Sequence, residues 1–185
     1  MTAIEVMNNE HKNISGMLKI VRVCCFKILK DEKVNYDDFD KILEFIVEYA
    51  DKHHHKKEEN ILFDKMVKYL GATAEKVVKT GMLVEHDLGR LYIKDFTRVL
   101  ENVKNGDEES KLDLISNAIS YTHLLERHID KEDRVIYKYA ERELEASILD
   151  LVNEECVEFE VKNNDIKEKS IDILEELERE YIEEV

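Results

Sequence analysis

His53-His54-His55-Lys56-Lys57-Glu58-Glu59-Asn60-Ile61-Leu62-Phe63 and His128-Ile129-Asp130-Lys131-Glu132-Asp133-Arg134-Val135-Ile136-Tyr137 are the two stretches on which the reading of this chain turns. Each holds a histidine and a glutamate four residues apart, which places them together on one face of a helix. At roughly 100° per residue, His54 and Glu58 share a stripe with Leu43, Val47, Ala50 and Ile61. His55 instead falls with Glu44, Glu48, Asp51 and Glu59, and His53 falls near Ile46 and Tyr49 but also Lys57, so both are expected on the solvated surface. In the second stretch His128 and Glu132 share a face with Leu114, Tyr121, Leu124, Leu125, Val135 and Tyr139. His123 keeps company with Ser116, Ser120, Arg127 and Asp130 and is expected to be exposed.

Working outward, punctuation divides the chain into four long helical segments. They run from about Thr2 to Lys30, from Tyr36 or Asp37 to Leu70, from a Thr73 cap to Lys104, and from Asp107 to Glu143. Gly71 and Asn105-Gly106 supply breaks, while Gly81 and Gly89 inside the third segment point to a kink or to close packing. Long helices with short connections predict an all-α fold, an antiparallel up-and-down four-helix bundle over 1–143. Residues 144–185 are expected to add one or two acidic helices packed on the bundle, the last carrying a narrow stripe of Ile171, Leu174, Leu177 and Tyr181. A contact with a second copy or another protein is the alternative use of that segment.

The first and third segments each turn a histidine inward as well. His11 sits among Ile4, Met7, Ile14 and Leu18, and His86 among Met82, Leu83, Gly89, Arg90, Ile93 and Leu100. One inward histidine reads as a hydrogen-bonded core residue. Four of them with two glutamates do not, because a buried carboxylate costs several kcal/mol unless it is paired or bound to a cation. The candidate metal ligands are therefore His11, His54, Glu58, His86, His128 and Glu132. Imidazole suits iron, zinc and copper, and carboxylates can bridge and neutralise a pair of ions inside a bundle.

Composition agrees with this class. The 185 residues contain no proline, five glycines and 38% charged side chains, which excludes collagen-like and low-complexity chains and argues against an all-β protein. The net charge of −15 leaves no electrostatic footprint for nucleic acid. No long apolar run and no basic-then-apolar N-terminus is present, so the expectation is a soluble, cytoplasmic protein with no membrane partner. Cys24, Cys25 and Cys156 do not form a disulfide framework and are read as packing residues, at least for the first two.

The order His11, His54-x-x-x-Glu58, His86, His128-x-x-x-Glu132 resembles the hemerythrin-like, or HHE cation-binding, domain in its four-His, two-Glu bacterial form. The neighbouring Glu10-His11, Glu85-His86-Asp87-Leu88-Gly89-Arg90 and His128-Ile-Asp-Lys-Glu-Asp strengthen the likeness, which covers about 1–143. The resemblance implies two iron ions with an oxo or hydroxo bridge, manganese or zinc being alternatives. It makes Glu58 and Glu132 the bridging carboxylates, with His11 and His54 on one ion and His86 and His128 on the other. Oxygen carriers of this family have a further histidine where this chain has Arg90, so a terminal ligand is expected to be missing. The function implied is binding or sensing of O2, NO or peroxide in a redox or stress response. Iron donation for iron–sulfur repair, peroxidase-type catalysis and a metal-sensing interaction protein are the other readings.

Overall fold

The computed structural model describes residues 1–32 and 34–182. Among the described residues it is 91% helical without strands, and six long helices make up an all-α bundle. Helix α1 is Ala3–Leu29. Helices α2, α3 and α4 are composite, spanning 36–70, 72–104 and 110–143. Two more follow, α5 at Ala146–Lys162 and α6 at Asn164–Tyr181.

Local chemistry sets the ends. Thr2 caps α1 by accepting from the Glu5 amide at 3.2 Å, while Glu5 accepts from the Thr2 amide at 2.7 Å, a reciprocal capping box. Asn35 caps α2 through the Asp37 amide. Gly71 breaks α2 from α3 with φ of +71°, a conformation that side chains with a Cβ resist. The third helix begins at Ala72 directly after it, one residue before the expected Thr73 cap, and the fourth begins at Ser110, not at Asp107.

Inside α2, α3 and α4 lie π-helical stretches: Ile46–His55, Glu58–Leu62, Val78–Met82 and Glu132–Ile136. In a π turn the backbone bonds i to i+5, so each residue advances by roughly 15–20° less than in an α-helix. Across Ile46–His55 the lag reaches about a third of a turn or more. Such bulges are frequent at functional sites. Gly81 falls in one of them, and Gly89 packs against Tyr121, Leu124 and Leu125 of α4.

The buried apolar residues form two cores. One joins Ile14, Leu18, Phe39, Tyr49, Phe96, Leu100, Leu114 and Leu125 with Leu174, Leu177 and Tyr181 of α6. The other joins Met7, Leu62, Phe63, Met66, Val78, Ile136 and Tyr137 with Val152 and Cys156 of α5. Residues 10–11, 53–58, 86 and 128–132 lie along the helices between these cores, so the molecule has a polar waist. The stripe on α6 packs within the chain against α1 and α2, fixed by a Tyr181 hydroxyl that donates to Asp38 at 2.6 Å.

Candidate metal centre

The waist is where the sequence placed its ligands. His11, His54, Glu58 and Glu132 bring ligand atoms within 4.8 Å of one another, and so do His55, Glu58, His86 and His128. Glu58 belongs to both groups. All six candidate residues therefore meet at one place, and a seventh, His55, joins them.

His55 and His53 correct the helical-phase reading. Both were expected in solvent, but His55 is 4% exposed and His53 is 0% exposed. The π stretch ending at His55 turns these side chains away from their α-helical directions. His55 stacks on His86 with ring centroids 3.9 Å apart. His53 is covered by Phe159 and Glu160 of α5, an extension that closes what would otherwise be an outer face of α2. The π turn at Glu132–Ile136 acts the same way further on: Val135, expected inward, is 57% exposed, and Tyr137 takes the buried direction. His123 is exposed, as its phase predicts. Arg90 stands in the position of the absent family histidine, and His55 brings a third imidazole near His86 and His128.

Four of the five imidazoles have a carboxylate on their outer nitrogen. The Nδ1 of His11 donates to Asp133 at 2.6 Å, that of His54 to Glu10 at 2.8 Å, that of His86 to Glu59 at 2.9 Å and that of His128 to Glu85 at 2.9 Å. Asp133 lies on α4, Glu10 on α1, Glu59 on α2 and Glu85 on α3. The bonds thus run α4 to α1, α1 to α2, α2 to α3 and α3 to α4, a closed ring. Each carboxylate neighbours a residue of the cluster itself: Glu10-His11, Glu58-Glu59, Glu85-His86 and Glu132-Asp133. A carboxylate on Nδ1 fixes the tautomer and leaves the Nε2 lone pair pointing inward. Arg90 steadies Glu59 at 2.7 Å while also bonding Asp51 and Asp87, and Lys131 steadies Glu85.

The inner atoms fit a cation. Glu58 and Glu132 are both 0% exposed, and Glu58 Oε2, both Glu132 oxygens and the Nε2 atoms of His54 and His55 make no hydrogen bond. The Nε2 atoms of His86 and His128 face each other at 3.0 Å. With both Nδ1 atoms donating outward, two bare lone pairs at that distance repel unless something positive lies between them. Protons are one answer. Burial disfavours a charged His11, but its bond to Asp133 and the nearby Glu132 carboxylate outweigh this and raise it to about 9. For His128 burial is likewise outweighed, by the Glu132 charge first, and it rises to about 10. Burial and the Glu132 charge push Glu58 up to about 8, while the facing imidazoles of His128, His11 and His86 overcome burial and hold Glu132 low. A divalent or trivalent ion supplies the same positive charge with no proton. Tyr137 completes the shell: its hydroxyl donates to Glu58 Oε1 at 2.5 Å and its ring stacks on His11.

Sequence reasoning named neither Tyr137 nor His55 among the site residues. The outer carboxylates did leave a signal, the doubled polar residues at each of the four inward positions.

A helical bundle with imidazoles and carboxylates gathered at a buried waist is a metal-binding bundle. The family description "Hemerythrin HHE cation binding domain" matches residues 2–140, and the chain belongs to that family. Comparison with curated proteins and with solved structures returns no match. No described helix is long and apolar enough to cross a membrane.

Proposed function

We propose that the waist holds two iron ions and that the protein binds or senses a small ligand, O2, NO or peroxide, in a redox or stress response. The observation that carries this is the pair of His/Glu groups sharing Glu58, with unbonded acceptor atoms turned toward their common centre. His11 and His54 would hold one ion and His55, His86 and His128 the other, with Glu58 and Glu132 between them. Two iron ions so held would supply a change of redox state and coordination positions for a small ligand.

The chain's own residues set the conditions. The ring of outer carboxylates aims four of the five imidazoles before any ion arrives, so little ordering of those four remains to be done on binding. Tyr137 donates to Glu58 and holds one bridging carboxylate in place. A cleft of about 520 Å³ opens beside His55 and His86, walled by Ile46, Val47, Ile93 and Tyr121. Apolar walls suit the passage of a small uncharged molecule better than that of an ion.

Metal content and the optical spectrum of protein made in iron-supplemented medium test the reading. Two iron ions per chain, with a near-ultraviolet and visible spectrum that azide or NO perturbs, are expected. Protein that holds no iron after anaerobic loading refutes it.

A further inference from the structure

One carboxylate of the ring is held differently from the rest. Glu59 and Glu85 are steadied by Arg90 and Lys131, which reach solvent. Glu10 is buried, and its support comes from deeper in the molecule. Its Oε1 accepts from Lys57 and lies 3.1 Å from His53 Nε2. Lys57 also pairs with Glu160 of α5, and the same His53 nitrogen is 3.1 Å from Glu160. Lys57 is entirely buried, with its ammonium 5.6 Å from the Phe159 ring centroid, again on α5. Glu10 Oε2 then accepts from His54 Nδ1.

Glu10, His53 and Glu160 bring ligand atoms within 4.8 Å of one another, a spacing that a cation could use. The Lys57 ammonium, bonded to both carboxylates, already provides one tethered to the chain. Without it the buried Glu10 and the partly buried Glu160 would repel, and Glu10 would be free to turn from His54. Helix α5 begins at Ala146, beyond the residues that the family description matches.

We propose that Lys57 and Glu160 are positioning residues for the metal centre: by fixing Glu10 they fix His54, and α5 is thereby a working part of the site. This rests on His54 being a ligand, as proposed above. A second ion pair between the same helices supplies the control. Lys65 of α2 meets Glu155 of α5 at 2.8 Å without touching Glu10.

Cobalt(II) titration against a chromophoric chelator, with the visible spectrum of the loaded protein recorded, separates positioning from anchoring. Glu160→Gln and Lys57→Met should weaken cobalt binding about 10- to 100-fold, the usual effect of losing an outer partner of a ligand, and should shift the visible bands. Glu155→Gln should change neither, although it loosens the same helix. The metal-free melting temperatures of Glu160→Gln and Glu155→Gln should fall by similar small amounts. Glu160→Gln with wild-type cobalt affinity and spectrum, or Glu155→Gln with an equal loss, overturns the proposal while leaving the metal centre intact. Wild-type protein that binds no cobalt and no iron removes the metal centre itself.

Discussion

Replacing Glu58 by Gln should reverse the order of stability of two proteins when metal is added. Gln has nearly the shape of Glu, and its carbonyl oxygen can still accept from Tyr137 at the 2.5 Å position. What it removes is one ligand oxygen and the ability to ionise, at a group 0% exposed whose Oε2 lies 3.5 Å from His86 Nε2 and 3.7 Å from His54 Nε2. Without metal, burial and the facing Glu132 charge push the wild-type Glu58 up to about 8, so folding at neutral pH must either protonate it or bury a second charge beside Glu132. A carboxyl whose pKa rises on folding destabilises the fold above its unfolded value, here by about 1–4 kcal/mol at pH 7, and Gln does not carry that penalty. At about 2–4 °C per kcal/mol for a chain of this size, metal-free Glu58→Gln should melt at the wild-type temperature or several degrees above it. With metal at 1,000 times its dissociation constant, the wild type gains about 4 kcal/mol, or roughly 8–16 °C. The variant lacks the oxygen shared by both groups and should gain much less. Thermal denaturation followed by circular dichroism, with chelator and then with anaerobic ferrous iron, reads both differences. A variant less stable than wild type by the same amount in both conditions would refute the reasoning, because Glu58 would then be a packing residue.

The π-helical turn makes its own prediction: His55→Ala should lose bound metal in elemental analysis much as His54→Ala does, while His123→Ala keeps it. Tyr137→Phe removes a hydrogen bond to a buried carboxylate and should cost about 1.5–3 kcal/mol, measured by urea denaturation; a change under about 0.5 kcal/mol would contradict the bond. Burial pushes the thiols of Cys24 and Cys25 up to about 12, aided for Cys24 by its neighbour's charge and opposed for Cys25 by Arg22, and burial raises Cys156 to about 11. All three should resist a thiol reagent at neutral pH in the native protein and react together after denaturation; one fast-reacting thiol in the native state would be the contrary result.

The bundle was legible because composition and period agree across long helices whose breaks fall at Gly71 and Gly106. His54 and His86 are buried as expected although π turns include or precede them, and His11 and His128 because 3.6-residue periodicity holds up to each. It fails where the backbone changes pitch. His55 stands at the end of a ten-residue π stretch, and Tyr137 just after a π turn, so fixed angular steps misplace them. A π bulge has no strong local sequence signature; it arises when the site's demands outweigh an ordinary hydrogen bond. His53 was hidden for another reason. Its burial depends on Phe159 and Glu160, more than a hundred residues away, and no periodicity within α2 reports what α5 will cover.

The outer ring has a consequence for how the helices settle against one another. Because each helix carries a ligand and an orienting carboxylate side by side, sliding any one of them by a single residue would swap the two roles. That slip would spoil bonds to both neighbouring helices at once, through the residue it offers to one and the residue it accepts from the other. Leucine and isoleucine layers tolerate small offsets, since one methyl group resembles the next. A cyclic set of four directional bonds does not, and acts as a vernier that admits one alignment of α1 to α4, as a lone buried polar pair does for a coiled coil. The waist thus works as an alignment gauge for the bundle whether or not an ion is present.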